Sequence, residues 1–179
     1  MLIAKITDSD FLGGEPQYIE DNNRYNVRGV VLDSNGCIAM MKIENSEYYK
    51  LPGGSVDITE TPEVAFKRQA SEETGLPVEK IGYIGWVEEH KNKRKFCMVS
   101  HCYAVKTTSN EVNQEQLASA EERLGYKLEW IPYEEAITKL KQLSEGCKEY
   151  QMSFILKREY LILETARELI EKELGEKNQ

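Results

Sequence analysis

A chain of 179 residues, 40% hydrophobic and 30% charged, is long enough to bury a sizeable core, and its length points to one domain. Its formal net charge of −8 argues against DNA or RNA as the main partner, because a polyanion is bound by cationic neutralisation of its phosphates. The same charge leaves room for a small phosphorylated ligand, provided a divalent cation bridges carboxylates to phosphates.

Leu2 to Ile6 reads as a short strand, and Gly13, Gly14 and Pro16 mark a turn after it. The segment from Met1 to Asp10 lacks the basic start and apolar stretch of a signal peptide. No apolar run approaches the ~20 residues that span a bilayer. A cytoplasmic location with no membrane partner is therefore expected. Tyr25 to Leu32 is β-rich, Asp33-Ser34-Asn35-Gly36 is a strong turn signal, and Cys37 to Ile43 reads as the returning strand of a hairpin. Tyr48 to Leu51 leads into Pro52-Gly53-Gly54, where regular structure is expected to stop.

Thr61 suits an N-cap and Pro62 the first helical turn, so a helix is expected as far as Thr74, ended by Gly75 with Pro77 beyond it. Lys80 to Glu89 and Lys95 to Val105 read as two strands, with the basic cluster Lys91 to Lys95 as a solvated hairpin tip. Thr107 to Ala120 is polar and poor in large apolar residues, and reads as a long loop. Tyr126 to Ile131 is a further strand, and Pro132 precedes a helix over Tyr133 to Leu143. After a break at Gly146, Ser153 to Leu174 is the longest helical pattern, and Gly175 to Gln179 is expected to fray. The long helix offers an apolar face for the sheet or for a second subunit, so a homodimer is possible. One mixed α/β domain over residues 1–179 is expected.

Cys37, Cys97, Cys102 and Cys147 form no CxxC pair, and His90 and His101 lack metal-ligand spacing, so structural zinc is not expected. Cys97 and Cys102 read as small core residues. A nucleophile elbow and a phosphate-binding P-loop are both missing from the sequence.

The informative stretch runs from Gly53 to Leu76. On a helix, Gln69, Glu72 and Glu73 share one face, with Arg68 at its flank and Phe66, Ala70 and Thr74 on another side. Glutamate pairs are common on solvated helix faces. Adjacent carboxylates also repel unless a cation joins them, and hard oxygen donors suit Mg²⁺ or Mn²⁺. Glu60 adds a carboxylate just before the helix, and Gly54 can offer a backbone carbonyl.

Taken with its spacing, the segment resembles the Nudix box: a Gly, five residues, Glu, seven residues, then Arg-Glu-apolar-x-Glu-Glu-x-Gly-apolar. Gly54, Glu60, Arg68, Ala70, Glu72, Glu73, Gly75 and Leu76 match, and the preceding Leu51-Pro52-Gly53 is also typical. The box covers 23 residues, and the order of elements extends the likeness over residues 25 to 143. The resemblance implies an α/β/α sandwich with a mixed sheet. It also implies hydrolysis of a nucleoside diphosphate linked to another group, with Mg²⁺ or Mn²⁺ as cofactor. Glu72 and Glu73 would be the main metal ligands, the carbonyl of Gly54 would complete the site, and Glu60 would act directly or through water. Arg68 would hold the glutamates in register.

Gln69 departs from the pattern. Many family members carry a glutamate there that binds metal or deprotonates water, and an amide does neither well. The base can come from elsewhere, with Glu88, Glu89, Glu121 and Glu122 as candidates and Glu122 preferred; His90 is a weaker one. Alternatively metals alone activate the water, or the protein binds a nucleotide or phosphorylated metabolite as a sensor without turning it over. Arg28 is a candidate for a substrate phosphate, with a solvent-facing salt bridge as its plain reading. Trp86, Tyr48, Tyr49 and Tyr103 are candidates for base stacking or for core. Oxidised nucleoside triphosphates, ADP-ribose and dinucleoside polyphosphates all remain open as substrates.

Overall fold

Along β2 (Asn23–Leu32), successive side chains point to opposite faces of the sheet, and apolar residues occupy both. Val27 and Val31 enter one buried cluster with Ala65, Phe66 and Ala70 of a helix. Val30 and Leu32 enter a second cluster, with Phe154, Ile162, Leu163 and Ile170 of another. A strand buried on both faces needs a helical layer on each, and this sets the α/β/α sandwich.

The computed structural model describes residues 1–176. In chain order the elements are β1 (Leu2–Thr7), α1 (Ser9–Leu12), β2, β3 (Cys37–Ile43), β4 (Tyr49–Lys50), β5 (Gly53–Ser55) and α2 (Pro62–Thr74). They continue with β6 (Val78–Lys91), β7 (Phe96–Thr107), α3 (Gln114–Leu124), β8 (Tyr126–Pro132), α4 (Tyr133–Gly146) and α5 (Tyr150–Glu176). The strands form one mixed sheet in the order β1-β6-β7-β2-β3-β4, with β5 pairing β2 and β8 pairing β3. β1 runs parallel to β6 and β2 parallel to β7, and the other pairs are antiparallel. No described helix is long and apolar enough to cross a membrane.

The expected hairpin of β2 and β3 is barely paired: Leu32 opposite Ile38 is its only register partner among the described residues. Below that point the two strands part: β4 takes the freed edge of β3 and β5 that of β2, while β8 and β7 pair along their other edges. The gap they leave is where the Leu51 to Ser55 segment enters.

That segment corrects one expectation. Regular structure does not stop at Gly53 and Gly54, because β5 pairs antiparallel with β2, setting Gly53 against Arg28 and Gly54 against Val27. Gly53 has φ +142°, and a Cβ there would lie 2.0 Å from the Val27 carbonyl oxygen. Only glycine lets the strands approach so closely.

A second correction concerns Thr107 to Ala120, whose latter half is helical. Asn113 caps α3 by accepting from the Gln116 N–H at 3.0 Å, and Gly125 ends it in the left-handed region. Ala120 is its one buried residue, so the helix rests on its caps and on helix-forming Gln, Glu, Ala and Leu rather than on an apolar stripe. The basic cluster is not wholly solvated either: Asn92–Arg94 form a single 3₁₀ turn, while Lys91 is buried 3.3 Å from Glu89. Cys97 and Cys102 lie in the core. Of the tail expected to fray, Gly175 and Glu176 still belong to α5, and residues 177–179 lie outside the described residues.

Candidate active site

Local sequence fixes α2 firmly. Thr61 accepts the Val64 N–H on its hydroxyl at 3.3 Å, Pro62 occupies the first turn, and Gly75 closes the helix at φ +69°. Ala65, Phe66, Ala70 and Thr74 are buried beneath it. This leaves Arg68, Gln69 and Glu72 along the outer flank and turns Glu73 inward.

Glu73 is only 2% exposed, and its Oε2 accepts the Gly53 N–H at 3.1 Å. Burial pushes its carboxyl up to about 7, against the opposing pull of Arg28, of the Gly53 N–H and of Lys50. The helix end is thereby tied to the glycine strand through one hydrogen bond.

Arg68 forms a bidentate pair with Glu60, Nε to Oε2 at 3.1 Å and Nη2 to Oε1 at 2.5 Å. Glu60 Oε1 also accepts the Asp57 N–H at 2.9 Å. The Arg68 side-chain bonds, chiefly, and the Asp57 N–H hold the Glu60 carboxyl below the usual range. Glu72 lies 3.6 Å from Arg68 and 3.9 Å from Arg123. Gln69 lies flat against Gly54: a Cβ added to that glycine would sit 2.8 Å from Gln69 Nε2 and 3.0 Å from its Cδ. The same Nε2 donates to the Ser55 carbonyl at 3.4 Å, a long bond.

The donor set decides what cation the site suits. Among the described residues, no three His, Cys, Asp or Glu side chains converge on a point that could hold a metal. Both oxygens of Glu60 serve Arg68, so Glu60 acts as a buttress in this arrangement. What remains is Glu72, the second oxygen of Glu73, the Gly54 carbonyl and the amide oxygen of Gln69. This fits a hard ion such as Mg²⁺, which is commonly held by one or two carboxylates with waters and substrate phosphates completing its shell. It does not make an all-protein cage.

Arg28 is not the solvent-facing salt bridge of its plain reading. Among the described residues its side chain makes no ion pair within 4 Å; Nη1 instead donates to the Gly53 carbonyl at 2.9 Å and the Leu51 carbonyl at 3.3 Å. It therefore holds the backbone that presents Gly54.

The candidate bases are distributed unevenly. Glu88 bonds Trp86 Nε1 at 3.1 Å, lies 3.4 Å from Lys5 and pairs with His90 at 3.2 Å. His90 Nδ1 accepts the Ile19 N–H at 3.0 Å, so both of its ring nitrogens are engaged. Glu89 is fully buried and bonded to Arg158, and Glu121 accepts the Leu128 N–H at 2.9 Å and pairs with Lys127. Glu122 is exposed on α3 with no hydrogen bond or ion pair to another described residue. Its neighbour Arg123 reaches Glu72, so that end of α3 borders the site.

Of the aromatic candidates, Tyr49 is buried and Tyr103 stacks on Phe66 at 6.1 Å between centroids. Both are core. Tyr48 and Trp86 are half-buried. Sequence reading missed Lys50, whose only signal was its place just before Leu51-Pro52-Gly53, and Arg123, which lies just past the segment read as a loop, on a helix that was not expected.

Comparisons with known proteins agree with this geometry. A family model described as the NUDIX domain matches residues 22–150. A "MutT-like protein" of Streptomyces ambofaciens is 31% identical over 88 residues, 48% of this chain and 56% of that protein, so the chain spans little more than half of its relative. The fold is shared with a MutT NUDIX hydrolase from Burkholderia pseudomallei at a TM-score of 0.50 and 22% identity, over 64% of this chain and 86% of that one. It is shared also with a NUDIX hydrolase from Nitrosomonas europaea at 0.52 and 17%, over 66% and 78%.

Proposed function

The chain belongs to the NUDIX family, and from that premise we propose that it is a divalent-metal-dependent hydrolase of the phosphoanhydride in a nucleoside diphosphate linked to another group. The observation that carries the reading is Glu73, buried against the Gly53 N–H beside the Gly54 carbonyl, with Glu72 next to it on the open flank. A carboxylate is seldom buried without a charge partner or a functional reason.

Glu72, Glu73 and the Gly54 carbonyl would hold Mg²⁺ or Mn²⁺, which would neutralise the charge of a diphosphate and acidify water. The chain's own residues do the rest. Arg28 fixes the Leu51 to Gly53 carbonyls, so the Gly54 carbonyl is preset rather than drawn from a mobile loop. Arg68 clamps Glu60 and keeps Glu72 in reach, which fixes the loop ahead of α2. The Gln69 amide oxygen can accept a hydrogen bond from water and orient it, but it cannot take up the proton. Glu122, free on α3 at the rim, is our candidate for that proton.

The test is a panel of ADP-ribose, an oxidised nucleoside triphosphate and a dinucleoside polyphosphate, incubated with Mg²⁺ or Mn²⁺ and assayed for phosphate-bearing products. EDTA should abolish turnover. No product over hours at high protein concentration would sink the hydrolase reading.

The placement of Gln69 favours a second reading, a module that binds the nucleotide and turns it over slowly or not at all. Loss of a general base costs on the order of 10²–10⁴ in rate. Calorimetric binding without product would identify such a module. Under the hydrolase reading a Gln69→Glu variant gains rate if position 69 is a lost base, and an unchanged rate assigns the base elsewhere.

A further inference from the structure

We infer that Lys50 and the free edge of Arg28 form a subsite for a phosphate-like anionic group, placed beside the carboxylates of α2 in the gap between β2 and β3. The inference takes from the hydrolase reading only the identity of the anion, one phosphate of the substrate.

Lys50 is half-buried at the end of β4, yet its ammonium makes no hydrogen bond and no ion pair within 4 Å among the described residues. Its one aromatic contact, the Tyr126 ring, is 5.4 Å away. A lysine removed from water is normally paired, because desolvating an ammonium is costly. The Lys50 nitrogen is not among the side-chain atoms sealed inside without a partner, so it still faces open space.

The charges around it define what that space will accept. Burial first, and then the neighbouring Arg28, hold Lys50 below the usual lysine range; Glu73 and Glu159 act the other way. Among the described residues, Arg28 has Nη1 committed to two backbone carbonyls and Nε enclosed without a partner, while Nη2 makes no hydrogen bond and is not enclosed. Glu73 acts on both cations, and one of its oxygens is already taken by the Gly53 N–H. Glu159 acts on both cations as well, yet among the described residues no carboxylate comes within 4 Å of either, so their positive charge lacks a direct partner in a half-buried corner. A divalent ion on Glu73 would add to it. An oxyanion carrying several acceptor oxygens answers both cations at once, and a diphosphate answers the ion as well.

The chain places these groups together by design of the topology. β4 and β5 are separated only by Leu51 and Pro52, so Lys50 and the glycine strand arrive as a unit. Arg28 approaches from β2, directly opposite Gly53 in register.

The test uses inorganic pyrophosphate with Mg²⁺ as the probe, titrated calorimetrically into wild type, Lys50→Met and Lys50→Arg. Wild type should bind, Lys50→Met should lose about tenfold to a hundredfold in affinity, and Lys50→Arg should keep most of it. The methionine variant should melt no lower than wild type, because the side chain it removes is an unpaired half-buried charge. Lys50→Gln repeats the measurement should the methionine misfold. In the hydrolysis assay, KM should rise for Lys50→Met while kcat stays near wild type.

Unchanged pyrophosphate affinity in Lys50→Met, with hydrolysis intact, would overturn the subsite and leave the hydrolase reading standing. Lost affinity in Lys50→Met, with no turnover by wild type, would keep the subsite and remove the hydrolase reading. Failure of wild type to bind pyrophosphate would overturn the subsite outright.

Discussion

Replacing Arg158 by methionine probes a group of charges buried beneath α5. Arg158 is 3% exposed and donates Nη1 to Glu89 at 2.8 Å and Nη2 to Glu159 at 2.5 Å; both carboxylates are fully buried. Lys91 stands 3.3 Å from the other oxygen of Glu89. Methionine keeps much of the stem's packing but leaves two enclosed carboxylates, with Lys91 the one remaining ion-pair partner within 4 Å among the described residues. Removing one partner of a buried pair costs about 3–5 kcal/mol, and two orphaned carboxylates place this case at the upper end. For a chain of this size that lowers the melting temperature by about 10–20 °C. The pH dependence has a definite sign. In the intact protein burial alone would raise Glu89, but Arg158 and Lys91 outweigh it and hold the carboxyl below the ordinary range. Its contribution is therefore present above the unfolded carboxylate pKa and is lost as pH falls through the depressed value. Without Arg158, burial dominates, the folded pKa rises, and stability is lost as pH increases. The deficit of the variant should be largest at about pH 8 and shrink toward about pH 5. Urea unfolding of both proteins at the two pH values measures it. A loss below about 1 kcal/mol, or a deficit that grows on acidification, would refute the reasoning.

Two further perturbations follow from single contacts. Glu73→Gln keeps an acceptor for the Gly53 N–H and removes a charge whose folded pKa lies near 7. A raised carboxyl gives stability that is intact below about 4.5 and is lost as pH rises through about 7, so the metal-free variant should exceed metal-free wild type above pH 7 by at most about 3 kcal/mol. Coincident urea midpoints at pH 8 would contradict this, and the same variant should lose hydrolysis. Gly29→Ala puts a methyl 1.8 Å from the Tyr103 carbonyl oxygen and 3.0 Å from Phe66 Cζ, where β2 meets β7 under α2. That overpacking should cost about 3 kcal/mol or more, and a near-wild-type unfolding midpoint would count against the observed strand separation.

Much of the fold was legible because its signals are local. Thr61, Pro62 and Gly75 are chemical instructions for the ends of α2, and the β-rich run from Tyr25 to Leu32 marks most of β2. What escaped depends on partners distant in sequence. α3 has no apolar stripe to read, since one buried alanine suffices once Asn113 and Gly125 cap it. β5 is strand only because Gly53 and Gly54 fit against Arg28 and Val27, a pairing that Pro52-Gly53-Gly54 disguises as a turn. Arg158 looks like an ordinary surface charge in sequence, and only the packing of α5 against the sheet encloses it.

The candidate site shows the same division between what spacing encodes and what folding adds. Spacing picks out Gly54, Glu60, Arg68, Glu72 and Glu73 as a set, but the fold gives them unequal tasks: Glu60 is bound to Arg68, Glu72 stays open and Glu73 is enclosed. It also brings in Lys50 and Arg123, which no box pattern contains. Glutamine at 69 removes a negative charge where a carboxylate would attract a cation, and Lys50 supplies a positive charge in the neighbouring gap. Both changes weaken the free site's hold on a cation and strengthen its hold on an anion. An ion that the remaining donors keep only loosely is held best when the anion brings ligands of its own, so in this site cation and diphosphate should be bound as one unit.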